Sequence, residues 1–304
     1  MGFTYDTEVL TVSGWKQIDQ ITNDDNLAVL VNGQELQYKP VLKVDQEDFE
    51  GEVVKVLTND IEIETTADHH LYVATQQVTV NKETGDIIQP KKLESIDEGD
   101  ETKSDSSEEV KEEVDQEAKC EPKEEADQEV KEEPKEEVGE TEVKTLLIFQ
   151  NNSVIETDGY ESDSIQTAVE YIIEHSRIPT EFILNFSRQQ SAYLIEMIFQ
   201  GSESILTESR GFANDLSVIA LNAGIPTCVH VDDIVIEEDT EETKKGTYTA
   251  ISIIKNTNPI ASEYNISRSN YSGPIYNIKT LSDKNIIYIR RNGKPVWIYG
   301  HSEE

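Results

Sequence analysis

Cysteine, methionine and tryptophan are scarce in this chain, with two of each among 304 residues. Cys120 and Cys228 cannot build a disulfide framework, which excludes a disulfide-stapled secreted domain and fits a reducing, intracellular setting. Long apolar runs are missing as well. Nothing approaches the roughly 18–20 consecutive apolar residues that cross a bilayer, and no apolar stretch follows Met1-Gly2-Phe3 to make a signal peptide. Gly2 sits where N-myristoylation needs it, but Asp6 occupies the position that motif gives to Ser or Thr. No membrane partner is expected. Positive charge is a further shortage: 26 Lys and Arg stand against 62 Asp and Glu, a net charge of −36 and a pI near 4.3. That balance argues against holding nucleic acid through a general basic surface. A hydrophobic fraction of 36% implies that part of the length stays unpacked, although 304 residues suffice for two domains with cores of their own.

What the chain has is negative charge, unevenly placed. Residues 98–145 hold 21 Asp and Glu against 7 Lys, a net of −14 in 48 residues. They include a repeat of period 12, KEEVDQEAKCEP at 111–122 and KEEADQEVKEEP at 123–134. Too few apolar groups are present to offset the entropy of ordering such a chain, and Pro122 and Pro134 would interrupt any helix. The segment is expected to be a disordered acidic linker, and basic proteins are the partners it would attract. A second acidic stretch, EEDTEETKK at 237–245, reads as another linker. The expected organisation is therefore 1–97, the linker 98–145, a segment 146–236, and a linker with a final segment over 237–304.

The first and last segments are strand-like. TEVLTVSG and NLAVLVNGQELQYKPVLKV alternate apolar and polar residues, punctuated by Gly14, Asn32-Gly33 and Pro40. Near the end, TAISIIK, GPIYNIKTL, IIYIRR and KPVWIY are short strands, with Asn292-Gly293 as a hairpin turn between the last two. Arg290, Arg291 and Lys294 are expected on a solvated hairpin edge. The middle segment differs. SIQTAVEYIIEHSRI sets Ile165, Ala168, Val169 and Ile172 on one helical face, and Ser187 is the expected N-cap of a helix carrying Leu194, Ile195 and Ile198. A third helix should end at Gly224 and pass into a strand. The pattern predicts one β fold split by an insertion, the insertion being a separate α+β unit.

Three stretches, FTYDTEVLTVSGWKQIDQI, TTADHHLYV and YSGPIYNIKTLSDKNIIYIRRNGKPVW, together resemble the blocks of an intein, the Hint fold of self-splicing elements. The last of them looks most like inteins found in ribonucleotide reductases. RIPTEFILNFSRQQSAYLIEMIFQGSES followed by GFANDLSVIALNAG resembles the second half of a LAGLIDADG homing endonuclease of the DOD type. The likeness covers about 1–75, 175–230 and 246–302. It implies a mainly β Hint fold, split by the acidic linker and an α+β LAGLIDADG-like half domain, with protein splicing and DNA cleavage as the ancestral activities.

The resemblance also assigns positions. Splicing begins when a Cys or Ser side chain attacks the preceding carbonyl; that position is Gly2, which has no side chain, and only Met1 precedes it. Thr66 and His69 match the Thr-x-x-His that polarises the scissile amide, His supplying acid catalysis near neutral pH. His70 is expected to be an incidental neighbour on the other face of a strand. Asn277 stands where an Asp or Cys often assists, and Asn285 where the family commonly has a His. At the C-terminus, either His301 replaces the terminal Asn and Ser302 is the next nucleophile, or His301 is the penultimate His and Ser302 replaces the Asn. In both registers the cyclising side-chain amide is missing. In the endonuclease half, Ser202 stands at the metal-binding Asp, with Glu203 in place of the following glycine, and no first motif is present. The expected chain is thus defective in splicing and in cleavage. It needs no cofactor, though the ancestral endonuclease would use magnesium, and DNA would be a partner only ancestrally. An engineered or trapped intein precursor is one alternative, a repurposed acidic interaction protein another, and a Hedgehog-like autoprocessing domain a third.

Overall fold

The computed structural model describes residues 1–82, 87–90, 141–153, 163–237 and 243–301. The chain forms two compact units, one of Met1–Gln76 with Thr145–Glu304 and one of Gln77–Lys144. Strands dominate. They run in the first part as β1 (Phe3–Thr4), β2 (Glu8–Thr11), β3 (Gly14–Gln17), β4 (Asn26–Val31), the long β5 (Glu35–Leu57) and β6 (Glu62–Thr66). Then come β7 (Ala74–Asn81), β8 (Ile87–Pro90) and β9 (Thr141–Ile148). The helices follow: α1 (Asp163–His175), α2 (Thr180–Asn185), α3 (Arg188–Phe199) and, after β10 (Ser204–Thr207), α4 (Arg210–Asn222). The chain continues through β11 (Thr227–Glu237), β12 (Thr243–Ile253), β13 (Ile260–Ala261), β14 (Ile266–Thr280), β15 (Ile286–Arg291) and β16 (Lys294–Tyr299). No helix among the described residues is long and apolar enough to cross a membrane.

In the smaller unit β7 pairs with β8, Val78 opposite Pro90 and Val80 opposite Ile87, with Val78 and Val80 buried. The larger unit is built on one sheet in the order β14-β1-β6-β5-β4-β15-β2-β3, with β16 on β15. Its longest pairing joins β5 to β14 antiparallel, from Val56 opposite Ile266 to Val41 opposite Thr280. The turn between β15 and β16 is Asn292-Gly293, with φ of 48° and 79°, the doubly positive pair whose twist matches flanking strands. Gly293 is required there on a second count. A Cβ at this position would collide with the backbone of Val229 on β11, which donates its N–H to the Gly293 carbonyl at 3.1 Å.

Strand alternation sends neighbouring side chains to opposite faces of the sheet, and here both faces are covered. Leu10, Ala28, Leu30, Ile286, Tyr288 and Trp297 join Leu194, Ile195, Phe199, Leu216 and Ile219 of the helices in one core. Val9, Leu27, Val29, Ile287, Ile289, Val296 and Ile298 point the other way, into a core with Phe3, Ile61, Ile63 and Tyr276. The helical residues, read from sequence as a separate unit, are therefore a layer of the main body. Trp15 Nε1 donates to Ser217 Oγ of α4 at 2.9 Å, and Trp297 N donates to the Gln150 carbonyl at 3.2 Å. NLAVLV, expected to alternate, is instead a near-continuous apolar run like IIYI, and this carries the reason, since a strand buried on both faces loses its polar alternation.

Other boundaries also differ from the sequence reading. Thr141–Thr145, given to the acidic linker, open β9, while residues 98–140 lie outside the described residues. The second expected linker begins and ends in paired strand, Glu237 opposite Thr243 and Val235 opposite Lys245, and β12 with its TAISI pairs with β10 and β11 rather than with the final strands. The helix ends agree with the caps read from sequence. Ser187 forms a capping box with Gln190, and Gly224 follows the end of α4 at φ 81°.

Candidate functional site

β1 lies between β6 and β14, with Phe3 opposite both Thr65 and Tyr276. This register puts the start of the chain against the end of β6. Gly2 N–H donates to Thr66 Oγ1 at 2.9 Å, and Thr66 N–H donates to the Gly2 carbonyl at 3.0 Å. β6 stops at Thr66, and a tight turn follows in which His69 N–H donates to the Thr66 carbonyl at 3.1 Å. The turn swings the imidazole inward, where it is buried and meets the Phe3 ring edge-on at 4.6 Å. Its Nε2 lies 2.8 Å from the carbonyl oxygen of Tyr299, at the end of β16. A carbonyl only accepts, so Nε2 carries the proton. Nδ1 is buried without a hydrogen-bond partner. Gly2 and Tyr299 thus meet across the Thr66–His69 turn.

Electrostatics at this turn follow from burial. Desolvation pushes His69 down to about 4, against the bond to Tyr299, so the imidazole is neutral at pH 7. As a neutral group it polarises the Tyr299 carbonyl by donating one hydrogen bond and carries no charge to give away. Asp68 is held below the usual carboxylate range by the Thr66 hydroxyl, with help from the amino group of Met1, 3.6 Å away. Space at Gly2 is limited but present: a Cβ would lie 3.0 Å from the Tyr276 carbonyl oxygen and 3.2 Å from Ile275 Cβ.

The C-terminal strand is held from the other side too. Gly300 N–H donates to the Asn285 carbonyl at 2.8 Å, and Ile278 N–H donates to the Gly300 carbonyl at 3.1 Å. A Cβ on Gly300 would sit 2.7 Å from the Ile278 carbonyl oxygen. His301 is half-buried and lines a cleft of about 360 Å³ with His70, Lys279, Ser282, Asp283, Lys284, Asn285 and Tyr299. His70, read as an incidental neighbour on a strand, lies beyond the end of β6 and borders this cleft. Ser302 lies outside the described residues. Asn277 pairs with Asp45, and its side-chain oxygen is buried without a partner. Asn285 is left-handed at φ 47° and fully engaged: its Oδ1 accepts from Thr280 N and Thr280 Oγ1, and its Nδ2 donates to the Ile278 carbonyl, each at 2.8 Å.

Ser202 and Glu203 sit elsewhere, in the exposed turn after α3. Glu203 is ion-paired with Lys255. One hydroxyl and one exposed, lysine-bound carboxylate do not fit a divalent ion at phosphates, which needs hard oxygens converging on it. Among the described residues no group of three or more His, Cys, Asp or Glu gathers to hold a metal.

Sequence reasoning missed the arginines of β15. Expected on a solvated edge, Arg290 and Arg291 are 2% and 8% exposed, because β15 is an inner strand of the sheet. Arg290 forms a fork on Glu8, Nε to Oε2 at 2.7 Å and Nη2 to Oε1 at 3.1 Å, and donates Nη1 to Asn214 Oδ1 on α4 at 2.9 Å. Its guanidinium lies over the Trp15 ring, 4.3 Å from the centroid. Arg291 is bound to Thr4 and Asp6 and lies 3.3 Å from Glu64 and 3.4 Å from Glu62. The signal was available: arginines that follow the apolar run IIYI on one strand need acidic partners, and Asp6 and Glu8, just before and at the start of β2, are acids in an otherwise uncharged stretch.

Fold and site together define a class, a mainly β protein in which the two ends of the main body meet at a buried Thr-x-x-His turn. No family model matches the chain. Over 80 residues, 26% of its length, the chain is 39% identical to an ATP-dependent Clp protease proteolytic subunit of Chlamydomonas moewusii. The match spans 8% of that protein, so its activity is not carried over with the likeness.

Proposed function

We propose that this chain is an intein-like protein: a Hint domain with a degenerate LAGLIDADG half, defective in both splicing and DNA cleavage. One observation carries the reading. Gly2 N–H is held by Thr66 while the Tyr299 carbonyl is held by His69, so the first and last strands converge on one turn. That arrangement is what exchange between two chain ends requires, because reacting groups must be held together before either bond breaks. The chemistry is absent where side-chain atoms are needed. Gly2 offers no nucleophile, His301 has no amide to cyclise, and the amide of Asn285 is consumed by Thr280 and Ile278. The nuclease half lacks its acid at Ser202, and a net charge of −36 repels phosphates, so DNA is not a present partner. Cys228, a free and buried thiol that burial pushes up to about 11, fits a reducing, intracellular location.

Reporter proteins fused before Met1 and after Glu304 test the reading. The parent sequence gives no ligated product and no cleavage. Gly2→Cys supplies the missing atom: its sulfur attacks the carbonyl carbon of residue 1, the C–S bond forms as the amide C–N bond breaks, and the thiol proton ends on the released amine. Hydroxylamine then liberates the first reporter, and Gly2→Cys combined with His69→Ala should release at least tenfold less. Ligation by the parent sequence sinks the defective reading, and a Gly2→Cys variant that stays intact in hydroxylamine sinks the intein one.

A further inference from the structure

We propose that Asn285 is a positioning residue of the site, tying the turn between β14 and β15 so that its own carbonyl grips Gly300 and holds the Tyr299 carbonyl on His69. This rests on reading residues 2, 66, 69 and 301 as one site. The position carries no acid or base, yet its side chain makes three buried 2.8 Å hydrogen bonds, two from Thr280 and one to Ile278. Those bonds close the stretch 278–285 into a fixed loop, with the left-handed φ of 47° that Asn tolerates better than most residues. Two backbone bonds leave the loop for the last strand, Asn285 O from Gly300 N at 2.8 Å and Ile278 N to Gly300 O at 3.1 Å. With the His69 bond to Tyr299, three consecutive hydrogen bonds fix residues 299 and 300. Gly300 has no room for a Cβ, which would lie 2.7 Å from the Ile278 carbonyl oxygen and 3.0 Å from Asn285 Nδ2.

The consequence reaches His69. Its imidazole stays dry and neutral only while the strand end covers it, and the charged or titratable groups near it are Asp68, the terminal amine and His70. Asn285→Gly keeps the left-handed backbone and removes all three side-chain bonds. Thr280→Val removes the hydroxyl and leaves the amide bond. Two readouts follow in the full-length protein: hydrogen exchange at the Gly300 amide, and the NMR titration midpoint of His69. The parent midpoint should lie near 4. In Asn285→Gly, Gly300 should exchange at least tenfold faster and the His69 midpoint should rise by about one unit or more toward the ordinary value near 6.5. Thr280→Val should move both in the same direction by less. Exchange at Val56, in the β5–β14 pairing, should stay at parent rates and certify the fold. Unchanged Gly300 exchange and an unchanged His69 midpoint in Asn285→Gly overturn the proposal. Should that variant not fold, the same unchanged readouts in Thr280→Val overturn it. Neither readout involves a reaction, so its failure is separate from failure of the reporter fusions.

Discussion

Arg290→Met tests how the helical layer is held to the sheet. Arg290 is 2% exposed, and its removal leaves the Glu8 carboxylate with Arg210, whose side chain is 59% exposed and 3.5 Å away. Burial lowers the pKa of Arg290 and the fork from Glu8 opposes that, so the pair stays ionised. Removing one partner of a buried ion pair costs about 3–5 kcal/mol, mostly from the charge left behind. Loss of the stacking on Trp15 adds about 1 kcal/mol, and loss of the bond to Asn214 adds about 1 kcal/mol. These contributions overlap, and methionine refills most of the volume, so the expected total is about 4 kcal/mol. For a domain of ordinary stability, about 5–15 kcal/mol, that is a large fraction.

Urea unfolding at pH 7 followed by tryptophan fluorescence is the assay. Both tryptophans of the chain, Trp15 and Trp297, line the core shared by strands and helices. The transition of the parent should be single, because neither layer keeps its core without the other. Arg290→Met combined with Glu8→Gln removes both charges and should recover to within about 2 kcal/mol of the parent. A single variant costing less than about 1 kcal/mol, or a double variant as unstable as the single, refutes the account of a buried pair that organises the interface.

Two other perturbations are expected to read out directly. His69 has a folded pKa of about 4 against 6.5 when unfolded, so folding favours the neutral ring. Its contribution is complete above pH 6.5 and is lost as pH falls toward 4, about 3 kcal/mol in all at 1.36 kcal/mol per unit. Between pH 7 and 4.5 the parent should therefore lose about 2–3 kcal/mol more than His69→Gln; parallel stability profiles would exclude a buried neutral imidazole. Gly293→Ala combines a positive φ of 79° with a clash on the Val229 backbone, whereas Gly14→Ala has φ 101° and open space. The first should cost at least about 2 kcal/mol more than the second in the same urea titration, and equal costs would show that β11 does not press on the hairpin.

Sequence reading reached those features that depend on a residue's own backbone or its immediate neighbours. Asn292-Gly293 is a turn because both residues accept positive φ, and Ser187 caps a helix because its hydroxyl and Gln190 lie three residues apart. Thr66 and His69 could be singled out by resemblance, but not their distance from Gly2 or Tyr299, which depends on β1 lying between β6 and β14. The shared core was partly legible. NLAVLV and IIYI are too apolar for strands with one wet face, yet which layer covers the second face is a long-range fact. Asn285 was only half legible, for a different reason. The sequence shows that an acid or base is missing there, but not the left-handed φ or the three side-chain bonds to Thr280 and Ile278.

Holding a site and reacting at it place different demands on a sequence. At the two ends themselves the bonded atoms are main-chain ones, Gly2 N and O, Tyr299 O, and Gly300 N and O, although Thr66 Oγ1 and His69 Nε2 hold the first and the third of them. Main-chain donors and acceptors are unaltered by most side-chain substitutions, so this geometry can outlast a change at residue 2 or 301. A nucleophilic or cyclising atom belongs to one side chain and goes with a single substitution. Closure of the ends is consequently weak evidence for surviving chemistry, however short the distances. The informative perturbation is the one that returns a reactive atom without moving the backbone. Gly2 meets that condition better than residue 300, where a Cβ has no space, because it needs only a few tenths of an ångström of give beside Tyr276.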